Sequence, residues 1–480
     1  MTKLSFGEKL GYGSAAVGDA AVYTFICTFL LFFLTTVAGI QPAIAGTITV
    51  VASVWNAIFN PIIGYISDHS RSPFGRRRLY MLGFVIPLFF VTILLFTSIH
   101  ITYGLRVIYY GFMTMAFWTC YTGFFVPFYA LGAEYTSDYN ERTVLRSYAS
   151  FFNIIGCCLS MTAPTTIVKA LTDTGRTEME AWAITAFIIA AFSLISILVT
   201  IIASKKIDAP GVNAADALPP ADALPPAGEA SLEENPEEGR SAILKIFREY
   251  IEVLSLKPIR IALMVCVFYL IGYTIIMSDL MYFLTYNMGY SGMQNSMALL
   301  FRSLIAMLLL IPSAWLCKIT DKRTALIITF LVGAAGISVM RMIHVEGVLS
   351  LGLLLIMTAV CTVFYWQIMP SIIYDICEYD EYETGKRREG AIVSIQGLVE
   401  AVAAGIGSQI LGIILQIVGF DGDAAMQTPL VESWIFNCAT LVPAVLIVIA
   451  AIFMYRFPIT RKVFEEIMQN LKERLPERKS

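Results

Sequence analysis

LGYGSAAVGDAAVYTFICTFLLFFLTTVA (residues 10–38) carries one charged residue, Asp19, in an otherwise apolar and small-residue run. A helix crossing the hydrocarbon core of a bilayer takes about 20 such residues. The run also exceeds the 7–15 apolar residues typical of a signal-peptide core, so it is read as a span that stays in the chain. The same reading extends outward. Apolar runs punctuated by charge predict spans at roughly 44–67, 79–99, 104–132, 146–171 and 180–203, then 259–286, 296–317, 324–343, 348–376, 392–418 and 432–457. Of the 480 residues, 57% are hydrophobic and only 14% charged, against about 25% charged in soluble domains. Mean hydropathy is +0.72. A water-soluble globule is excluded, and the expected fold class is an all-α polytopic membrane protein: twelve transmembrane helices in two pseudo-symmetric six-helix bundles, embedded in the lipid bilayer.

Charge distribution orients the chain. With the amino terminus inside, 28 of the 33 Lys and Arg fall in segments on that side; the other side holds Arg106, Lys169, Arg176 and Arg341, and Arg302 lies within a span. This bias predicts both termini in the cytoplasm. A net charge of −3 without a dense basic patch argues against a nucleic-acid partner. The nine cysteines show no CxxC pair, which argues against a disulfide framework or a zinc site, and no metal site is expected. Motifs for phosphate loops, HExxH metalloproteases and GxSxG nucleophiles are missing from the sequence, and His69, His100 and His344 are scattered; no enzyme and no cofactor is expected.

The expected organisation is an N-terminal bundle at 1–203, a linker at 204–258, a C-terminal bundle at 259–457 and an amphipathic tail at 458–480. Within the linker, ADALPPADALPPA (215–227) is a tandem repeat followed by the acidic GEASLEENPEEG (228–239), a composition without a core that reads as a disordered tether over 208–240. Interfacial helices are expected at 242–256 and 461–475. Internal duplication is suggested by PIIGYISDHSRSPFGRRR (61–78) and PSAWLCKITDKR (312–323), each with a proline, then Asp and a basic cluster.

Ionisable groups inside a span are costly and mark function by default. Asp19 leads: it binds a cation, takes up a proton, accepts hydrogen bonds from a polyol, or simply bonds a neighbouring helix. Asn56, Asn60 and Asp68 recur at four- and eight-residue spacing on one helical face; the two amides hydrogen-bond but do not titrate. They serve a ligand or hold helices together. Asp68 with Arg71, Arg76, Arg77 and Arg78 would form a cytoplasmic gate, against DICEYDEYETGKRREG (375–390), a loop holding Asp375, Glu381, Arg387 and Arg388. Aromatic side chains offer a stacking surface for sugar rings: Tyr23, Trp118, Tyr121, Tyr129, Tyr365 and Trp366, with Gln367 adjacent. Glu400, Asp279 and Arg302 are further charges within spans whose direction the spacing leaves open.

GYGSAAVGD (11–19), VWNAIFNPIIGYISDHSRSPFGRRR (54–78), the Pro127–Tyr129 step and EYETGKRREG (381–390) occur in this order. Together they resemble the glycoside–pentoside–hexuronide cation symporters of the major facilitator superfamily, the melibiose permease-like transporters, over nearly the whole chain outside 208–240. The resemblance implies two bundles rocking about a central sugar site with a co-transported H+ or Na+. It implies that Asp19 is the first-helix carboxylate that binds sugar, that Trp366 is the tenth-helix tryptophan of the site, and that Tyr129 stands where the family often has tryptophan. Several positions depart from the family. Asn56 and Asn60 replace the aspartates of the cation site, Phe125 replaces a carboxylate of the sugar site, Ser150 replaces an arginine, and Glu400 and Ala401 stand near the place of an eleventh-helix lysine. These departures favour proton over sodium. The expectation is a monomeric symporter of a sugar or glycoside in a bacterial inner membrane. The alternatives are a transporter of a non-sugar or amphiphilic solute, an uncoupled facilitator, and a membrane sensor without turnover.

Overall fold

The computed structural model describes residues 5–69, 76–99, 101–134, 139–204, 250–343, 347–385, 388–424 and 426–474. Among them there are helices and no strands. α1 (Phe6–Phe32), α2 (Pro42–His69), α3 (Arg76–Leu95), α4 (Tyr103–Glu134), α5 (Tyr139–Asp173) and α6 (Glu178–Ala203) come first. α7 (Lys257–Tyr282), α8 (Met293–Ile319), α9 (Lys322–Ile343), α10 (Val348–Thr384), α11 (Glu389–Ile417), α12 (Pro429–Ala439), α13 (Leu441–Tyr455) and α14 (Arg461–Arg474) follow. The tether expected at 208–240 lies outside the described residues. Of the helix expected at 242–256, residues 250–255 are helical and 242–249 lie outside the description.

Eleven helical segments are long and apolar enough to cross a membrane among the described residues. α4 is long enough but is diluted by Tyr109, Tyr110, Trp118, Tyr121 and Tyr129 and by Thr114, Thr119 and Thr122. That composition suits a helix with one face turned to a polar interior rather than to lipid.

The chain forms two compact units. One comprises 1–220, 274–303 and 404–439; the other comprises 221–273, 304–403 and 440–480. In the first, α1 is clasped by α5 and α6 through its small residues. The Ser193 hydroxyl donates to the Gly18 carbonyl (2.9 Å), Thr200 donates to the Gly11 carbonyl (2.5 Å), and the Ala15 N–H donates to the Thr200 oxygen (2.8 Å). A Cβ on Gly18 would stand 2.8 Å from the Ser193 carbonyl oxygen, and one on Gly156 would meet the Val17 carbonyl. Glycine here permits backbone-to-backbone approach, the means by which helices associate where no hydrophobic force separates protein from lipid. Tyr12, Met81, Phe124, Phe128, Leu145 and Ile197 fill the core beside this crossing.

A repeat of the chain halves is written into backbone geometry. α1 passes into a π-helical turn at Phe33–Val37, and α7 passes into another at Phe283–Asn287. The sequences FLTTVAG (33–39) and FLTYNMG (283–289) match at Phe, Leu, Thr and Gly. Gly39 and Gly289 both take φ +64°, a left-handed conformation that favours glycine. The N–H groups after them bond back equivalently, Ile40 to the Leu34 carbonyl (2.8 Å) and Tyr290 to the Leu284 carbonyl (2.9 Å).

One expectation is corrected. The stretch from 375 is not a loop at its start: α10 runs on to Thr384, since no glycine or proline lies between Asp375 and Gly385, whose φ of +68° ends the helix. The span expected at 432–457 corresponds to one apolar segment, Pro429–Tyr455, whose helix is interrupted at Thr440, between α12 and α13. Pro443 lacks an N–H, and its ring would clash with the Ala439 carbonyl in a continuous helix.

The glycine crossing yields a test. Gly18→Leu should destabilise the purified protein by about 1–3 kcal/mol, the usual range for overpacking, read as a lower melting temperature in detergent, whereas Gly83→Leu, where a Cβ meets nothing within 4 Å, should melt as the wild type does.

Candidate functional site

Asp19 sits mid-way along α1, 3% exposed, and its Oδ1 has no hydrogen-bond partner among the described residues. The Tyr121 hydroxyl of α4 lies beside the carboxyl group. One turn further along α1, Tyr23 is 43% exposed and its ring faces Tyr121 (centroids 5.6 Å) and Trp118 (5.9 Å). Trp118, Tyr121, Phe125 and Tyr129 follow at spacings of three, four and four, which places them on one face of α4. Tyr121 stacks on Phe125 at 5.3 Å, and Phe125 meets Tyr129 at 4.3 Å. The result is an aromatic wall ending on a buried carboxyl group with an uncommitted oxygen, which brings Asp19, Tyr23, Tyr121, Phe125 and Tyr129 together.

Helix α2 is tied to the other side of α4. Thr122 donates to Asn56 Oδ1 (2.5 Å), and Trp55 Nε1 donates to Thr119 (2.8 Å). Asn56 therefore joins helices in this structure, while Asn60 is half-buried one turn away. Sequence reading missed the contribution of α5: Thr24 donates to Cys157 Sγ (3.4 Å), which donates to Asn153 Oδ1 (3.8 Å). Cys157 and Asn153 are one turn apart, and the polar Asn in an apolar span was the available signal. Ser150 is exposed on the same helix.

The second unit holds Trp366, Gln367 and Glu400. Trp366 of α10 is 45% exposed and meets Tyr273 of α7 edge-on at 6.3 Å. Its neighbour Tyr365 is buried and stacks on Tyr269 at 3.9 Å. Gln367 accepts from the Ser313 hydroxyl and so pairs α10 with α8. Glu400 on α11 is half-buried, takes a hydrogen bond from Gln396 Nε2 (2.9 Å) and lies beside the Tyr365 hydroxyl. Tyr269 and Tyr273, four residues apart on α7, had not been singled out.

Of the charges expected to gate the cytoplasmic end, Arg71 and Arg387 lie outside the described residues, as do the side chains of Asp68 and Arg76. Arg77 donates to Ser67 (2.9 Å), and Arg78 Nε donates to the Ile201 carbonyl (2.9 Å). Asp375 takes both its bonds from Lys322 at 2.7 Å. Glu381 is half-buried on α10, and its carbonyl accepts the Gly385 N–H (2.9 Å). Arg388 grips Asp380 with two bonds (3.0 and 2.5 Å) and reaches Glu252 with a third (3.0 Å). Asp380 is fully buried, so this triad fastens the segment before α7 to the ends of α10 and α11. Elsewhere in the first unit, Asp279 and Arg302 are buried, at 0% and 5% exposure. Among the described residues no group of three or more His, Cys, Asp or Glu could hold a metal ion.

A family model described as MFS/sugar transport protein matches residues 11–221 and 227–461. The chain belongs to this family. It is a multi-pass membrane protein with the all-α major facilitator fold, and its relatives are transporters. It is 22% identical, over 88% of its length and 82% of the relative's, to the isoprimeverose transporter of Lactiplantibacillus pentosus. Over 35% of its length it is 30% identical to a sodium-dependent lysophosphatidylcholine symporter of Gallus gallus, covering 32% of that protein. In fold it resembles the crystal structure of a D-xylose–proton symporter, with a TM-score of 0.62 at 15% identity, covering 94% of this chain and 97% of that one.

Removing one member of a buried ion pair costs about 3–5 kcal/mol because the other charge is stranded. Arg388→Ala should therefore lower the melting temperature of this MFS family member sharply, while the paired replacement Arg388→Met with Asp380→Leu should recover much of the loss, read in the same thermal-melt assay.

Proposed function

We propose that this transporter moves a sugar or glycoside across a bacterial-type inner membrane by alternating access, as a monomer with both termini in the cytoplasm, and that transport is coupled to protons. The observation that carries the reading is Asp19, a buried carboxyl group with a free oxygen at the end of an aromatic wall. Sugars present apolar ring faces that pack on aromatic side chains and hydroxyls that donate to a carboxylate. In this reading Tyr23, Tyr121, Phe125 and Tyr129 stack against the substrate and Asp19 takes its hydroxyls. Within the second compact unit, Trp366 and Gln367 offer a ring and an amide of the same recognition chemistry. Asn60 in the first unit and Glu400 in the second are the polar groups this reading offers to a cation, and the charged groups assigned to the cytoplasmic end are Arg77 and Arg78 in the first unit and Asp375, Glu381 and Arg388 in the second.

Protons are preferred to sodium because a desolvated sodium ion needs compensating negative charge close by. On α2 the residues are neutral amides, and Asn56 Oδ1 already accepts from Thr122. An amphiphilic solute is the competing reading: the wall is apolar at Phe125, and a part of the chain resembles a lysophosphatidylcholine symporter.

The test is uptake of a panel of labelled glycosides into proteoliposomes under imposed proton or sodium gradients. The expected result is uphill, proton-driven accumulation that falls at least about tenfold in Asp19→Asn, the loss of a charge-assisted hydrogen bond of about 1.5–3 kcal/mol. Uptake of lysophosphatidylcholine with no glycoside taken up under any gradient would overturn the sugar assignment, and sodium-driven accumulation would overturn the choice of ion.

A further inference from the structure

Asp279 lies on α7 one turn before its end, with 0% exposure. Neither carboxyl oxygen has a hydrogen-bond partner among the described residues. Among the described residues, Tyr282, one turn on along α7, and Cys438 from α12 are titratable groups that interact with it, and Arg302 of α8 is a further buried charge of the same compact unit. An ionised carboxylate stripped of water and of partners costs many kcal/mol, whereas the neutral acid costs only that of a buried hydroxyl and carbonyl. The site as built accommodates the acid form.

Asp279 neighbours Tyr282, a residue that ties together helices of the first compact unit. Tyr282 shares a 2.6 Å hydrogen bond with Thr35, from the π turn after α1. The Tyr282 ring packs between Phe32 of α1 (5.2 Å) and Phe420 (5.3 Å). In the same unit, the Ser296 hydroxyl of α8 lies 2.7 Å from that of Thr165 and 2.5 Å from that of Thr166, both on α5. Helices from the first half of the chain are thus sealed against helices from the second within this unit, and Asp279 adjoins the Tyr282 part of that seal.

We propose that Asp279 is a proton-binding site linked to this closure: the carboxylate takes one proton from water when the seal is open, and the carboxylic acid is what the sealed arrangement holds. Releasing the proton leaves a bare charge beside the seal and favours reopening. This deepens the proton-coupled reading above, on which it rests for its role in transport; the sealing itself is testable without any substrate. By linkage, a single proton bound only in the sealed form shifts the open–sealed ratio up to about tenfold per pH unit.

The experiment uses the full chain in lipid nanodiscs, without sugar. Cysteines introduced as Thr166→Cys and Ser296→Cys report the seal through the yield of their cross-link, scored by peptide mapping because the chain has native cysteines. In the background with Asp279 intact, the yield should fall as pH rises by up to about tenfold per unit. With Asp279→Asn, which mimics the neutral acid, it should stay high and flat. Infrared difference spectra between wild type and Asp279→Asn should show a protonated-carboxyl C=O band that the variant lacks, and Asp19→Asn should keep that band. A pH-independent cross-link with Asp279 present, or no carboxylic-acid band lost in the variant, overturns the proposal. Because neither readout involves sugar, a failure of glycoside uptake in the earlier assay leaves this result standing and counts only against the substrate assignment.

Discussion

Hydrogen bonding between hydroxyl side chains of α6 and the backbone of α1 underlies the arrangement of the candidate site. Ser193, Ser196 and Thr200 contact the backbone of α1 at Gly11, Ser14, Ala15 and Gly18, and the glycines and alanines there bring the helices close enough for it. In hydrocarbon there is no hydrophobic drive to hold helices together, so such contacts and close packing have to do it. With one face of α1 clasped in this way, Asp19 and Tyr23 are left on the face toward α4.

The aromatic wall is the second consequence. α4 is less apolar than its neighbours because it trades aliphatic residues for Tyr, Trp and Thr. Its threonines tie it to α2 through Asn56 and Trp55, and its rings line up beside Asp19. One helix thereby carries both the bonds to α2 and the row of rings beside Asp19. Asn56 is a case in which the plainer of two readings describes this structure: its carbonyl oxygen holds a helix pair.

The charges at the ends of α9, α10 and α11 also resolve into local pairs. Asp375 with Lys322 and Asp380 with Arg388 join neighbouring elements. The density of acids and bases in 375–390 was visible in the sequence, but the partners were not. Lys322 is fifty-three residues away from Asp375 and Glu252 belongs to a segment read only as an amphipathic face. Pairing of charges far apart in sequence depends on which helix ends meet, and hydropathy carries no information about that.

Length and apolarity in this sequence determined a bundle of membrane-spanning helices, and the small-residue run with one carboxylate singled out α1 as the helix of the candidate site. Four-residue spacing on α4 was enough to place Tyr121, Phe125 and Tyr129 on a common face, because helical periodicity is local. Tertiary structure alone decided which oxygen of Asp19 is left unpaired, that α5 brings Cys157 and Asn153 to the same place, and that Asp279 is buried without a partner. It also revealed the matched π turns at Phe33–Val37 and Phe283–Asn287, whose short FLT-and-glycine signature is too weak to be read before the geometry is seen. The physical reason is common to all of these: a side chain's periodicity is set by its own helix, but its burial and its partners are set by the helices that pack against it.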